Sequence, residues 1–271
     1  MSDDLPENLT PVGVNWAPLS PSVSSDPPPP PRLLGPRSTL DRDLERLLAV
    51  GQVVLVCGIP TQLLVAGAYA VVNRLSLEDL TRPSFQFIAM TSLIDTALVA
   101  VMIRVFLLFS GESSRDVFVG PKRPAGEILR GLLLVPVLIG AAELLAVGLN
   151  AVFPALHSVK ENPYSAYMKS PIEAALFVVV VILAGGIREE LQRAFIIRRF
   201  DQHLGGARVG LAIFTVFFGA LHSFEGYDAA IVIGLLGLLF GVLYIRRGSA
   251  VLNMTAHAGF DAGMILLEVL Q

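Results

Sequence analysis

Charge is scarce in this chain: Asp, Glu, Lys and Arg make up 16% of its 271 residues, hydrophobic residues 54%, and the mean hydropathy is +0.66. Those values exclude an ordinary soluble domain and indicate a polytopic membrane protein. The single cysteine, Cys57, excludes an intrachain disulfide and reads as a core residue. With a net charge of -3, the chain has no basic footprint, and a nucleic-acid partner is not expected. No basic start followed at once by an apolar core opens the sequence, so the N-terminal segment reads as a retained tail. Nor is there an internal repeat with paired broken helices, which argues against a secondary transporter.

What is present begins with a tail. Residues 1-45 are rich in Pro, Ser and Asp, with Pro27 to Pro31 uninterrupted, and too polar to order a backbone by burial. They read as a disordered cytoplasmic tail. From 46 to 271, apolar stretches long enough to cross about 30 Å of hydrocarbon recur between polar breaks. The pattern predicts an all-α, polytopic transmembrane helical bundle of about seven spans, near 47-72, 87-109, 129-153, 172-197, 208-225, 228-245 and 249-269. Breaks at Arg82-Pro83-Ser84, Gly120-Pro121, Ser170-Pro171, Gly205-Gly206 and Arg247-Gly248 separate them.

Basic residues orient the bundle. One set of connections and the tail hold Arg32, Arg37, Arg42, Arg46, Arg115, Lys122, Arg123, Arg130, Arg198, Arg199, Arg208, Arg246 and Arg247; the other set holds Arg74, Arg82, Lys160 and Lys169. Lys and Arg accumulate on the cytoplasmic side, so the N-terminus is expected there. The compact size and the lack of a retention motif favour a bacterial plasma membrane.

Three of the last four spans carry ionisable residues, which in a bilayer mark function by default. The first holds Arg188-Glu189-Glu190-Leu191-Gln192-Arg193, the second Phe218-Gly219-Ala220-Leu221-His222, and the third His257-Ala258-Gly259-Phe260-Asp261. Glu189 lies 16 residues before Gly205 and His222 lies 17 after it, so the two should face each other at one depth, in a cavity open toward the cytoplasmic side. Residues four apart share a helix face, which pairs Glu189 with Arg193, Phe218 with His222, and His257 with Asp261. A carboxylate beside a guanidinium stays ionised, and an imidazole beside a carboxylate has its tautomer fixed. Such a set suits general acid-base hydrolysis of a carbonyl compound by water.

Together, a Glu-Glu pair followed by Arg, then Phe-x-x-x-His, then His-x-x-x-Asp resembles the CPBP intramembrane proteases, which include the type II CAAX prenyl endopeptidases and the bacterial abortive-infection proteins. The resemblance covers about 120-270. It implies a metal-free endopeptidase in which Glu189 or Glu190, with His222, activates water. His257 and Asp261 would supply the oxyanion-side contacts, and Arg193 would orient the glutamate helix. It also implies membrane lipid and a prenylated or hydrophobic peptide as partners.

One feature departs from the family pattern. Glu190 is three residues before Arg193, Glu189 is four before, and Arg188 stands five before, where the family's first glutamate would be. A slip of one residue turns a helix by about 100°. Three readings stay open: a bulge near Gly185-Gly186 restores the aim of the pair, Glu189 alone carries the base role, or hydrolysis is lost and the scaffold kept. Glu189 assisted by Glu190 is the preferred assignment.

Plainer readings stand beside these. Glu189, Arg188 and Arg193 can form a self-neutralised network, His222 an interfacial histidine, His257 a packed core histidine, and Phe218 core packing. Zinc or iron held by Glu189, His222, His257 and Asp261 is an alternative, although no His-Glu-x-x-His helix is present. A membrane scaffold or proton-coupled carrier is another. Asp95 and Glu143 read as interhelix contacts, His157 and His203 as solvated, and Gly234, Gly237 and Gly241 as a helix-packing face.

Overall fold

The computed structural model describes residues 39-160 and 163-270; the Pro-rich run, Arg32 and Arg37 lie outside the described residues. Eleven α-helices follow one another: α1 (Thr39–Val56), α2 (Ile59–Val72), α3 (Leu77–Thr81), α4 (Phe85–Phe109), α5 (Ser114–Phe118), α6 (Pro124–Val152), α7 (Pro171–Val181), α8 (Glu190–His203), α9 (Ala207–Leu221), α10 (Tyr227–Arg247) and α11 (Val251–Leu270). Helix α1 begins at Thr39, within the segment 1-45 that composition assigns to the tail.

Several sequence breaks are realised as caps. Ser84 Oγ accepts from Phe87 N at 3.2 Å to open α4, and Ser170 Oγ accepts from Glu173 N at 3.2 Å to open α7, with Pro171 in the first turn where no amide hydrogen is needed. Gly248 closes α10 in the left-handed conformation at φ 63°, which glycine adopts without a Cβ penalty.

Five helices among the described residues are long and apolar enough to cross a membrane: Phe85–Phe109, Pro124–Val152, Pro171–His203, Ala207–Glu225 and Tyr227–Arg247. The bent pair Thr39–Val56 and Ile59–Val72, angled by 45°, makes a sixth. The bend sits at Gly58, whose φ of 95° only glycine takes easily, and Gln192 Nε2 donates to the Val56 carbonyl freed there, at 2.6 Å. Helix α11 matches the seventh expected span in position and length, but Asn253, His257 and Asp261 dilute its apolar character. Asn253 and His257 are buried, so those polar groups are turned inward. Around the outside, Leu63, Leu64, Val71, Leu144, Val147 and Val216 are each more than 60% exposed, a surface suited to lipid contact. This is an integral membrane protein.

Two apolar clusters position the helices that carry the motifs. Val56, Val99, Ile103, Leu107, Phe195 and Phe200 fix α8 against α1 and α4. Leu138, Leu236, Phe240 and Ala256 join α6, α10 and α11. Small residues permit the closest approaches: Gly259 meets Val135 and Gly263 meets Ile139 between α11 and α6, while Gly234 faces Gly219 and Gly237 faces Phe218 between α10 and α9. At one end of the bundle the fully buried Glu127 accepts from Arg130 at 2.9 Å and from Arg247 Nε at 2.7 Å. Glu112 there accepts from Arg198 and Gln202.

Candidate active site

Between α7 and α8 the helix does not remain α-helical. Ile182–Glu189 forms a π-helical segment, so Pro171–His203 runs as one rod with extra residues wound into its middle. The segment contains Gly185 and Gly186, and α11 presses against both. A Cβ on Gly185 would collide with the Asp261 carboxylate, and one on Gly186 with the backbone and side chain of Ala258. The bulge near Gly185-Gly186, one of the readings of the shifted motif, is therefore present.

The two adjacent glutamates face different surroundings. Glu189 lines a cavity of about 1050 Å³ together with Arg188, His222, His257 and Asp261. Glu190 does not line it; its side chain is 1% exposed and ion-paired with Arg193 Nη1. Arg193, which the helical repeat pairs with Glu189, thus bonds Glu190 instead, since the α-helical register resumes only at Glu190. Its guanidinium lies over Phe218 and Phe214, 4.7 and 5.0 Å from the ring centroids, where aromatic faces compensate a buried cation. Phe218 is a buried packing residue that also touches His222, with ring centroids 4.7 Å apart.

The two histidines are held differently. His222 ends α9 and bonds the Phe218 carbonyl through Nδ1 at 2.8 Å. A carbonyl only accepts, so Nδ1 carries the hydrogen and Nε2 is left for chemistry. His257 bonds Glu190 Oε1 through Nδ1 at 2.9 Å and stacks on Phe240. Its Nε2 lies 3.7 Å from Asp261 Oδ1 and 3.9 Å from Glu189 Oε2, separations across which a water bridges well. Four of the five expected catalytic residues share the cavity wall, and Glu190 stands behind them, gripping His257.

Further residues stand around the site. Arg188 is anchored by Asp95 of α4, with Nη1 donating to Oδ2 at 2.7 Å, while its Nη2 lies 3.7 Å from Glu189 Oε1. Glu225, three residues past His222 in the short 3₁₀ turn Ser223–Glu225, accepts from the Tyr164 hydroxyl at 3.2 Å. Burial, and then the Glu225 carboxylate, push the Tyr164 phenol well above its usual range, so it stays a donor at any working pH. His157 is not simply solvated: Nδ1 lies 2.8 Å from Asp228 Oδ2, and the ring lines the cavity. His203 lies 3.8 Å from Glu45. A turn between spans that carries an acid just after the Phe-x-x-x-His motif was the available sign of Glu225; Tyr164 and His157 had none, since a long connection brings them there.

The lining of the cavity reaches the connections at 73-84, 153-160, 163-170 and 222-226, and no residue of 110-123, 204-206 or 248-250. Glu189 and His222 share its wall, as their similar spacing from Gly205 suggested. Helix α9 stops at Leu221, so His222 sits at its far terminus. Among the described residues no three His, Cys, Asp or Glu side chains are arranged to hold a metal ion together.

No curated protein and no solved structure matches the chain. Residues 171-263, which carry all the motif residues of this cavity, match the family described as type II CAAX prenyl endopeptidase Rce1-like.

Proposed function

We propose that this protein is an intramembrane endopeptidase that uses a glutamate-activated water to hydrolyse a peptide bond in a membrane-associated substrate. The observation that carries this reading is the division of labour between adjacent glutamates: Glu189 reaches the cavity beside both histidines, while Glu190 is sequestered on Arg193 and His257. The family matched by residues 171-263 supports the reaction class.

In this reading Glu189 takes a proton from a water held between it and His222 Nε2, and the water oxygen bonds to the scissile carbonyl carbon. His257, with Nδ1–H on Glu190, donates an Nε2–H hydrogen bond to the developing oxyanion and keeps that proton, and Asp261 keeps the ring aimed. The carbon-nitrogen bond then breaks as Glu189 returns its proton to the leaving amine. No atom beyond water and substrate is consumed. A prenyl chain on the substrate fits the apolar walls contributed by Phe177, Phe214, Phe217 and Leu236. Zinc bound by Glu189, His222, His257 and Asp261 is the competing chemistry, and activity that survives a chelator would set it aside.

The test is cleavage of quenched fluorescent peptides, with and without a prenylated cysteine, by detergent-purified protein. Glu189→Gln and His222→Ala should each abolish cleavage. Full activity in Glu189→Gln with loss in Glu190→Gln would reverse the assignment, and activity in neither the wild type nor Arg188→Glu on any peptide would leave the chain a scaffold.

A further inference from the structure

The charged connections and the cavity mouth lie at opposite ends of the bundle. At the mouth stand Thr81, Pro83, Lys160, Tyr164, Glu225 and Asp228, from three connections that successive spans place on one side. The floor is Gln192, Phe240 and His257; no residue of 110-123, 193-213 or 241-256 reaches the lining. Toward the far end stand Arg193, Phe195, Ile197 and Tyr244, all 2% exposed or less.

That far end is the basic one. Arg115, Lys122, Arg123, Arg208, Arg246 and Arg247 lie in or beside its connections, whereas the mouth end has only Arg74, Arg82, Lys160 and Lys169 among the described residues. The bias of Lys and Arg toward the cytoplasm concerns short connections such as these and is not a net-charge rule, so acids nearby do not cancel it. His157 and Ser158 are tied to the start of α10: His157 is paired to Asp228, and Tyr227 N donates to Ser158 Oγ at 3.2 Å.

We propose that the cavity is loaded from the non-cytoplasmic face, and that its substrate is an exported peptide anchored in the outer leaflet by an apolar segment or chain rather than a cytoplasmic prenylated C-terminus. This rests on the protease reading above and narrows it: the scissile bond must be presented within reach of Glu189 from the side of the 153-170 connection. The reaction is the same hydrolysis, with water as the only co-reactant.

Sealed right-side-out and inverted vesicles from cells expressing the full chain separate the possibilities. In a Cys57→Ser background, a membrane-impermeant maleimide should label Lys169→Cys in right-side-out vesicles and Lys122→Cys only in inverted ones. An impermeant quenched peptide with one apolar anchor should be cleaved about tenfold faster by right-side-out vesicles. The reverse labelling, or cleavage confined to inverted vesicles, overturns the proposal. Labelling as stated with no cleavage of anchored peptides in vesicles or in detergent sinks the protease reading, and the exported substrate with it, while leaving the sidedness standing.

Discussion

Arg188 Nη1 donates to Asp95 Oδ2 at 2.7 Å, tying the π-helical segment to the middle of α4. The same guanidinium has its Nη2 only 3.7 Å from Glu189 Oε1. Asp95, fully buried, therefore shares with Glu189 the cation that the shifted motif places beside the candidate base.

Removing that anchor should turn Arg188 onto Glu189. Asp95→Asn is expected to lower peptide cleavage by at least about tenfold, because a cation held on the candidate base opposes its taking a proton. The double variant Asp95→Asn with Arg188→Gln removes both charges and should regain activity. Equal loss in the single and double variants, measured as kcat/KM on monodisperse protein, would deny the anchor this role.

The two glutamates should separate stability from chemistry. Glu190→Gln leaves Arg193 buried without its counter-charge and loosens His257, so the melting temperature in detergent should fall, by the equivalent of about 3-5 kcal/mol. Glu189→Gln faces the cavity and should melt close to the wild type while losing about 10²-fold or more in cleavage, the usual worth of a general base. Thermal melts beside single-turnover assays read both effects.

Gly186→Ala should push α11 away from the π segment, because a methyl there meets the Ala258 backbone, which cannot move aside as a flexible side chain would. Overpacking of this kind costs about 1-3 kcal/mol. The cleavage rate should drop further than stability alone explains, since His257 and Asp261 ride on α11. Wild-type kcat at full occupancy of the folded state would show that the close approach has no part in catalysis.

Acid should weaken the basic end of the bundle. Burial alone would raise the Glu112 carboxyl, but the Arg199 and Arg198 guanidiniums and their hydrogen bonds outweigh it and hold it below its ordinary value. A carboxylate depressed in the folded state adds stability above its unfolded value, about 4.3, that is lost as pH falls through the folded value. Melts should therefore decline steeply below about pH 4.3, and Glu112→Gln should start lower at pH 7 and decline less. Parallel pH curves for the two proteins would contradict this.

The sequence by itself determined that this is a helical membrane protein and where most spans begin and end. Proline and serine breaks such as Ser170-Pro171 act locally, and a charge such as Glu189 or Asp261 within an apolar helix needs a partner wherever the helix packs. The aim of the glutamates was decided by tertiary structure: where α11 packs against Gly185 and Gly186 the helix is π-helical, Glu189 lines the cavity and Glu190 bonds Arg193. The pairing of Arg188 with Asp95 and of His157 with Asp228 joins residues 93 and 71 positions apart, which no local periodicity encodes. The lining of the cavity was likewise beyond the sequence, because depth counted from one turn fixes how far His222 lies from Gly205 but not that Tyr164 and His157 of a long connection pack beside it.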